Sequence, residues 1–472
     1  MHPKSKSISR RDFLAATGKL SIAAMAGAGI VGCETTKPCY APKSKVLGAN
    51  ERINIAMIGV GGRGNHLSKS FAKIPNVKIK TIVDIDENLY VDRIKTIEEI
   101  QGCAPATEYD LRNIMDNKDI DAVVIATPNH WHSLATILAC QAGKHVFVEK
   151  PCSHNIFEGR QMIKAARKYN SIVQVGFHNR SIGNIRSAMK ALHDGVIGDV
   201  YMARGLCFKP RGSIGRFPDS KVPKGVHYDI WLGPAPERAF NRNRFHYNWH
   251  WHWAYGNGDI GNQGPHQFDI ARWGMNKNEH PEKIRSFGGY YAYDCAQETA
   301  NTQTATYEYA DGKLLQFEVR GLFTNGESIL PSNAKTDKQL DTKIGNIFLG
   351  TKGWMAINGG TWKTYLGKNN EPGPSSETVV KELDAMNLAG GGDMEHFVNF
   401  TNAVRSGKKQ DLTCDIEQGH LSTALPHMAN ISYRLGRELR FDGKNEKFVG
   451  DSKANQMLTR KYRKPFIVPK NV

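Results

Sequence analysis

Between Arg52 and Gly176 the chain repeats one pattern: a short apolar run, a polar turn, then a stretch of helical period. Arg52-Ile53-Asn54-Ile55-Ala56-Met57-Ile58-Gly59 is such a run, stopped by glycine. Val77 to Val83 is the next and ends in Asp84; Asp121 to Thr127 runs into Pro128-Asn129-His130-Trp131-His132. Lys144 to Val148 runs into Glu149-Lys150-Pro151, and Ile172 to Gly176 follows. Runs this short and this apolar on both faces predict buried parallel strands. His66 to Ala72 and Ser133 to Ala142 predict the helices between them, the second closing at Gly143. Alternation of this kind predicts an α/β fold with a doubly wound parallel sheet over residues 51–175, which gathers ligands at the C-terminal ends of its strands. Gly59, Asp84, Thr127, His130 and Lys150 all fall at such ends.

Beyond residue 176 the period changes. Thr304–Tyr309, Leu314–Arg320 and Asn346–Leu349 alternate with period two and predict strands of a second sheet, in a second domain over 176–440. Gly321 to Asp341 reads as a long polar loop suited to a lid or an oligomer arm. Helices are predicted from about Gly391, and from Asp415 through Tyr433 with an interruption near Pro426. Residues 441–472 form a C-terminal extension.

The first strand's ending carries the first chemistry. Gly59-x-Gly61-x-x-Gly64, with Gly62 and Arg63 inside it, opens a helix directly after a strand. The glycines serve a tight turn, a close approach of backbone to pyrophosphate, and close helix–strand packing, while the helix N-terminus offers free N–H groups to phosphate. Asp84 lies about 20 residues further on, where a carboxylate accepts the ribose hydroxyls and repels a 2′-phosphate. The expected cofactor is NAD. Thr127, Pro128, Asn129, His132, Glu149 and Lys150, at later strand ends, complete the expected cofactor contacts.

The rest of the composition bounds the function. With 472 residues, 40% hydrophobic and 23% charged, the chain is globular and long enough for two domains. Its formal charge of +17 is spread along the sequence without a basic block, so nucleic acid is not an expected partner. Residues 1–33 read as a leader. Ser9-Arg10-Arg11-Asp12-Phe13-Leu14 resembles the twin-arginine export consensus, and Ile30-Val31-Gly32-Cys33 resembles a bacterial lipobox in which Cys33 takes the lipid. Residues 34–50 then form a tether, and the expected location is periplasmic, on a lipid anchor. The eight cysteines show no CxxC pair, so a disulfide framework is not expected and most should be small buried hydrophobes.

Together these motifs resemble the Gfo/Idh/MocA oxidoreductases. The resemblance rests on Gly59-Val60-Gly61-Gly62-Arg63-Gly64, Ala126-Thr127-Pro128-Asn129-His130, Gly143-Lys144-His145-Val146, Glu149-Lys150-Pro151, Gly176-Phe177-His178-Asn179-Arg180 and the segment from Gly258 to Asp269. It implies that the second domain carries a large, mainly antiparallel open sheet, often used for homo-oligomerisation. It implies that Lys150 assists proton transfer at the reacting hydroxyl; a lysine desolvated beside a nicotinamide has the lowered pKa such a role requires. It also implies that His178, Asn179 and Arg180 border the substrate, a sugar or glycoside.

One departure stands out. The family's second motif has an Asp four residues before its His; here that position is Asn262, before His266 and Asp269. On one helix the three would share a face, with His266 relaying a proton or orienting the hydroxyl and Asp269 fixing its tautomer. An amide cannot accept a proton, so either Lys150 and His266 suffice, or Asp259 fills the gap, or the chemistry differs from a simple dehydrogenase. Upstream, Phe245 to Trp253 is dense in aromatics. If extended, it presents Trp249, Trp251 and Trp253 on one face, as core or as a platform for a sugar. A metal set from His246, His250, His252 and His266 lacks ligand spacing, and no metal is expected for hydride transfer.

Export adds a further expectation: a cofactor loaded before export, tightly held and recycled within the site. Two readings follow, an NAD-dependent sugar or glycoside oxidoreductase and an NAD-dependent glycosidase working through transient C3 oxidation and elimination.

Overall fold

A computed structural model describes residues 52–327, 342–378 and 392–472. The leader, Cys33, the tether and most of the polar loop expected over Gly321 to Asp341 lie outside the described residues.

Six short strands build the first sheet: β1 (Ile53–Ile58), β2 (Val77–Val83), β3 (Ala106–Glu108), β4 (Ala122–Ile125), β5 (His145–Val148) and β6 (Val173–Val175). All pair in parallel, in the order β3-β2-β1-β4-β5-β6. The order reverses between β1 and β4, which opens the crevice a doubly wound sheet uses for ligands. The helices α1 (Gly62–Phe71), α2 (Tyr90–Gln101), α3 (Asn129–Gln141) and α4 (Ile156–Lys168) connect these strands. Burial on both faces explains the composition: Ile55, Met57, Ile79, Val124 and Phe147 are all solvent-free.

After α5 (Gly183–His193) the chain enters the second sheet with β7 (Val200–Phe208). Three short helices follow: α6 (Tyr228–Leu232), α7 (Gly258–Asn262) and α8 (Gly264–Gly274). Then come β8 (Lys283–Gly289), β9 (Thr302–Glu308), β10 (Leu314–Arg320), β11 (Ile344–Gly350), β12 (Gly353–Asn358), β13 (Thr361–Leu366) and β14 (Glu371–Ser375). Helices α9 (Asp393–Ser406) and α10 (Ile416–Leu435) precede β15 (Leu439–Asp442), β16 (Lys447–Phe448) and α11 (Ser452–Gln456). The ten strands run in the order β14-β13-β12-β11-β7-β10-β9-β8-β15-β16, antiparallel except where β7 meets β10. One face packs on α8 and α10, with Phe268 stacked on Phe317 at 4.3 Å and edge-on to Tyr307.

Four expectations change. Helix α10 runs unbroken through Pro426. Its neighbours hold it there: Tyr307 Oη donates to the Leu425 carbonyl, and His427 bonds the Ser153 carbonyl. Asn262 and His266 do not share a helix, because Pro265 has no N–H for the Gly261 carbonyl and instead opens α8 as a new helix. The aromatic segment is not extended: His246–Trp251 forms a 3₁₀ turn entered through a left-handed His246. Five cysteines are free and buried as expected, but Cys103 is disulfide-bonded.

The C-terminal segment returns to the first sheet. Phe466 packs edge-on against Trp131 of α3, and Arg463 bonds the Gly233 carbonyl and Asp229.

Candidate active site

A cavity of about 530 Å³ opens at the C-terminal ends of β1, β2, β4 and β5. Its floor is the glycine loop. Gly59 takes a φ of +83°, and a Cβ on it would lie 2.8 Å from the Ala126 carbonyl oxygen. A Cβ on Gly64 would lie 1.8 Å from the Gly59 oxygen, so α1 can start this close to β1 only with glycine. Gly61 and Gly62 face open space, and α1 has no side-chain cap, so its first N–H groups point into the cavity.

Asp84 ends β2 on the cavity wall. Its carboxylate accepts Val60 N at 2.7 Å and Asp86 N at 3.0 Å, pinning the glycine loop to β2; burial pushes its pKa up. The wall continues through Thr127, Pro128, Asn129 and His132. Thr127 Oγ1 and Asn129 Oδ1 are buried without a partner, as polar atoms awaiting a ligand would be. Both ring nitrogens of His132 instead face backbone, at Pro151 O and Thr127 O, making it a brace between strand ends.

Glu149, Lys150 and Arg63 close one end. Glu149 is buried, accepts Arg63 Nε at 2.7 Å, and lies beside Gly176, where a Cβ would come within 3.1 Å of its carboxyl group. Arg63 reaches on to Asp393 at the start of α9 at 2.5 Å, so its guanidinium bridges two carboxylates as well as lining the cavity. Lys150 Nζ donates to the Asn262 carbonyl at 2.8 Å and lies 3.4 Å from Asn262 Oδ1. Burial lowers the Lys150 pKa from the ordinary lysine value, and the neighbouring Glu149 carboxylate opposes that shift.

Behind this end lies a second cavity of about 320 Å³, lined by His178, Asn179, His266 and Asp393. The His178 and His266 rings stand 4.8 Å apart, and each has a buried Nδ1 without a partner. His178 Nε2 lies 3.6 Å from Asp393. Burial holds the His266 pKa well below that of a free histidine.

Four expected substrate contacts belong to the packing instead. Asp269 is fully buried between Arg180, which grips it with two hydrogen bonds, and Ser422. It therefore does not set the His266 tautomer, and Arg180 is committed to it. Asp259 is buried in a two-bond pair with Arg211, so it is not a free base. Trp251 is buried beneath Arg211, whereas Trp249 lines the first cavity, stacked on His250 at 3.6 Å. The four histidines considered for a metal do not converge: His246 faces Asp86, His250 bonds the Tyr247 carbonyl, His252 bonds the Asn243 carbonyl, and His266 lines the other cavity.

The sequence reading missed a cover over the cofactor cavity. Ile230, Trp231, Phe245, His246 and Tyr247 line its far wall. The segment leading to them is tied to the loop after β2. Glu87 N donates to Gly225 O at 2.9 Å and His227 N to Ile85 O at 2.8 Å. His227 Nε2 meets Glu87 at 2.7 Å, His246 Nε2 lies 3.4 Å from Asp86, and the His227 ring stacks on Tyr109 at 3.9 Å. Asp393 was missed as well; it is 330 residues from Arg63 in sequence, and no local motif marks it.

Residues 53–177 match the model of an oxidoreductase family with an NAD-binding Rossmann fold, and residues 208–348 and 377–468 match the same family's C-terminal α/β domain. The chain belongs to the Gfo/Idh/MocA oxidoreductase family. Within it, the chain is similar to a glycosyl hydrolase family 109 protein of Saccharopolyspora erythraea, 27% identical over 216 residues, covering 43% of this chain and 46% of that protein. It is similar to a levoglucosan dehydrogenase of Pseudarthrobacter phenanthrenivorans, 31% identical over 163 residues, covering 33% of this chain and 40% of that protein. The chain thus spans less than half the length of these curated relatives. Among solved structures, the fold is that of a levoglucosan dehydrogenase in complex with NADH and levoglucosan (TM-score 0.61, 17% identity, 82% of this chain and 99% of that one). It is also that of an aldose–aldose oxidoreductase from Caulobacter crescentus (TM-score 0.59, 18% identity, 83% and 100%). The cofactor of this Gfo/Idh/MocA chain is NAD. The glycine cradle and the unpartnered Thr127 and Asn129 oxygens fit it.

Proposed function

We propose that this chain oxidises a hydroxyl group of a sugar or glycoside, with bound NAD as the hydride acceptor. The observation that carries the reading is Lys150. It stands in the same cavity as the glycine loop, desolvated, with its Nζ held against Asn262. An alcohol losing hydride must also lose its O–H proton, and a lysine whose pKa burial lowers gives up its own proton more readily and so is available as the base. Asn262 aims that amine and cannot compete for the proton, so the Asp-to-Asn departure leaves Lys150 as the acceptor. His178, Asn179 and His266 offer the adjoining cavity the donors and acceptors a sugar ring needs.

The cofactor stays bound through turnover in this reading. The cover from Gly225 to Tyr247 supports retention, since release requires its ties to the loop after β2 to open. Export through the twin-arginine motif, lipid anchoring at Cys33, a periplasmic location and assembly into homo-oligomers belong to the same proposal. Mass analysis of the mature N-terminus and light scattering test them.

A second reading has a specific support. Relatives of this chain carry the names glycosyl hydrolase family 109 protein and 2,7-anhydro-N-acetylneuraminate hydratase, chemistries whose net reactions consume no NAD. On that reading oxidation is transient and the glycosidic bond is lost by elimination.

Native mass spectrometry of the purified chain, followed by incubation with aryl glycosides, tests both. Co-purifying NAD and a keto-sugar with its glycosidic bond intact support the oxidoreductase. Aglycone release without added NAD supports the glycosidase. A chain that arrives empty and takes up NAD only weakly overturns the retained cofactor.

A further inference from the structure

Away from the cofactor, three chain segments meet at Glu446. It sits in the turn between β15 and β16; His280 precedes β8, and His420 lies on α10. Both histidines are buried. His280 Nε2 lies 3.0 Å and His420 Nε2 2.7 Å from the same Glu446 oxygen, Oε1, and the three ligand atoms lie within 4.8 Å of one another. Arg160 of α4 binds the same carboxylate, through Nη2 to Oε1 at 2.5 Å and Nε to Oε2 at 3.0 Å, and reaches Glu417 at 3.1 Å.

As a purely internal hydrogen-bond set, this arrangement is unbalanced. Three N–H donors converge on one oxygen, which has two lone pairs. Meanwhile the Nδ1 atoms of both His280 and His420 are buried without a partner, as is Ser153 Oγ. Glu446 also occupies the left-handed region at φ +49°, a conformation unfavourable for glutamate.

We propose that His280, His420 and Glu446 form a divalent transition-metal site, zinc in chemical class. A cation among the two Nε2 atoms and Oε1 takes the place of two crowded N–H groups. Each imidazole then carries its proton on Nδ1, the tautomer that leaves Nε2 free to bind the cation. Tetrahedral zinc with ligands at about 2.0–2.1 Å sets them about 3.3 Å apart, so the 3.0 Å and 2.7 Å histidine–Glu446 separations open slightly while the two histidines, within 4.8 Å, draw together. Arg160 keeps its bond to Oε2 and holds the carboxylate in place. The charges of Glu446, Glu417 and Arg160 leave the site one negative charge to meet a dication. A cavity of about 840 Å³, lined by His280, Arg160 and Glu417, borders the site on the solvent side, where a fourth ligand could enter. The site joins α4, α10 and the C-terminal hairpin and touches no cofactor residue, so its role is structural.

The test uses the full chain, stripped with a chelator and titrated with Zn²⁺ by calorimetry and with Co²⁺ by visible absorption. One equivalent of metal, a tetrahedral Co²⁺ spectrum and a raised thermal midpoint are expected. His280→Ala and His420→Ala should weaken Zn²⁺ binding by at least about 100-fold, and Glu446→Gln by at least about 10-fold. Glu446→Gln is mild enough to keep the comparison open should a histidine variant misfold. A wild-type chain that takes up no stoichiometric metal, or variants that bind it as tightly as wild type, overturn the site.

Discussion

Gly64 and Lys150 show what single residues are asked to do. A Cβ at position 64 would sit 1.8 Å from a carbonyl oxygen that is itself fixed by the turn at Gly59. Gly64→Ala should therefore cost at or above the ~3 kcal/mol upper end of overpacking penalties, read as a lowered thermal midpoint with loss of co-purifying NAD. A variant that keeps both would mean that α1 starts elsewhere. Lys150→Met should lower turnover by about 10²–10⁴-fold, the usual contribution of a general base, with NAD still bound. Because burial lowers the Lys150 pKa, the basic limb of the wild-type rate profile should level off below the ordinary lysine value of 10.5. Full activity in Lys150→Met would remove the base assigned here.

At the scale of elements, the cover over the cofactor cavity makes the clearest prediction. It is fastened by two backbone hydrogen bonds and by the His227–Glu87 and His246–Asp86 contacts. Exposed pairs of this kind are worth about 0.2–1 kcal/mol each. Replacing both histidines by alanine should thus speed NAD release roughly ten-fold, since about 1.4 kcal/mol is a factor of ten. Stopped-flow displacement of bound NADH by excess NAD measures it directly; an unchanged release rate would show that the cover does not gate exchange. The elements themselves were readable to different depths. The parallel strands were legible because burial on both faces leaves uninterrupted apolar runs, and α1 because glycine marks its start. The 3₁₀ turn at His246–Trp251 was not, since alternating aromatics suit a strand until the packing of Trp249 and Trp251 in opposite surroundings decides otherwise. The break between α7 and α8 was legible in principle from Gly264-Pro265, but the spacing of Asn262, His266 and Asp269 suggested one helix.

For the whole molecule, several buried histidines set the acid limit. Burial depresses His130 to about 3, His427 to about 3 and His396 to about 4. In the unfolded chain they take up protons below about 6.5; in the folded chain they do not. The unfolded state then binds more protons, so stability falls as pH drops from about 6.5 toward 4, by up to about 1.4 kcal/mol per histidine per pH unit. The thermal midpoint should decline steadily from pH 7 to pH 5; a flat profile would mean these histidines protonate in the folded state.

The sequence by itself determined the doubly wound sheet, the glycine cradle, the acid at Asp84 and the lysine after β5, because each depends on neighbours within a few dozen residues and on burial that dictates composition. The second sheet's strands were also visible as alternation, though not their order. Only the tertiary structure decided which polar residues are free to act. Arg180 and Asp269 lie 89 residues apart and neutralise each other, as do Arg211 and Asp259, 48 apart; Arg63 shares its charge between Glu149 and Asp393. A side chain's chemical type is written locally, but its availability depends on the charge it meets after folding, and spacing along the chain does not reveal that meeting.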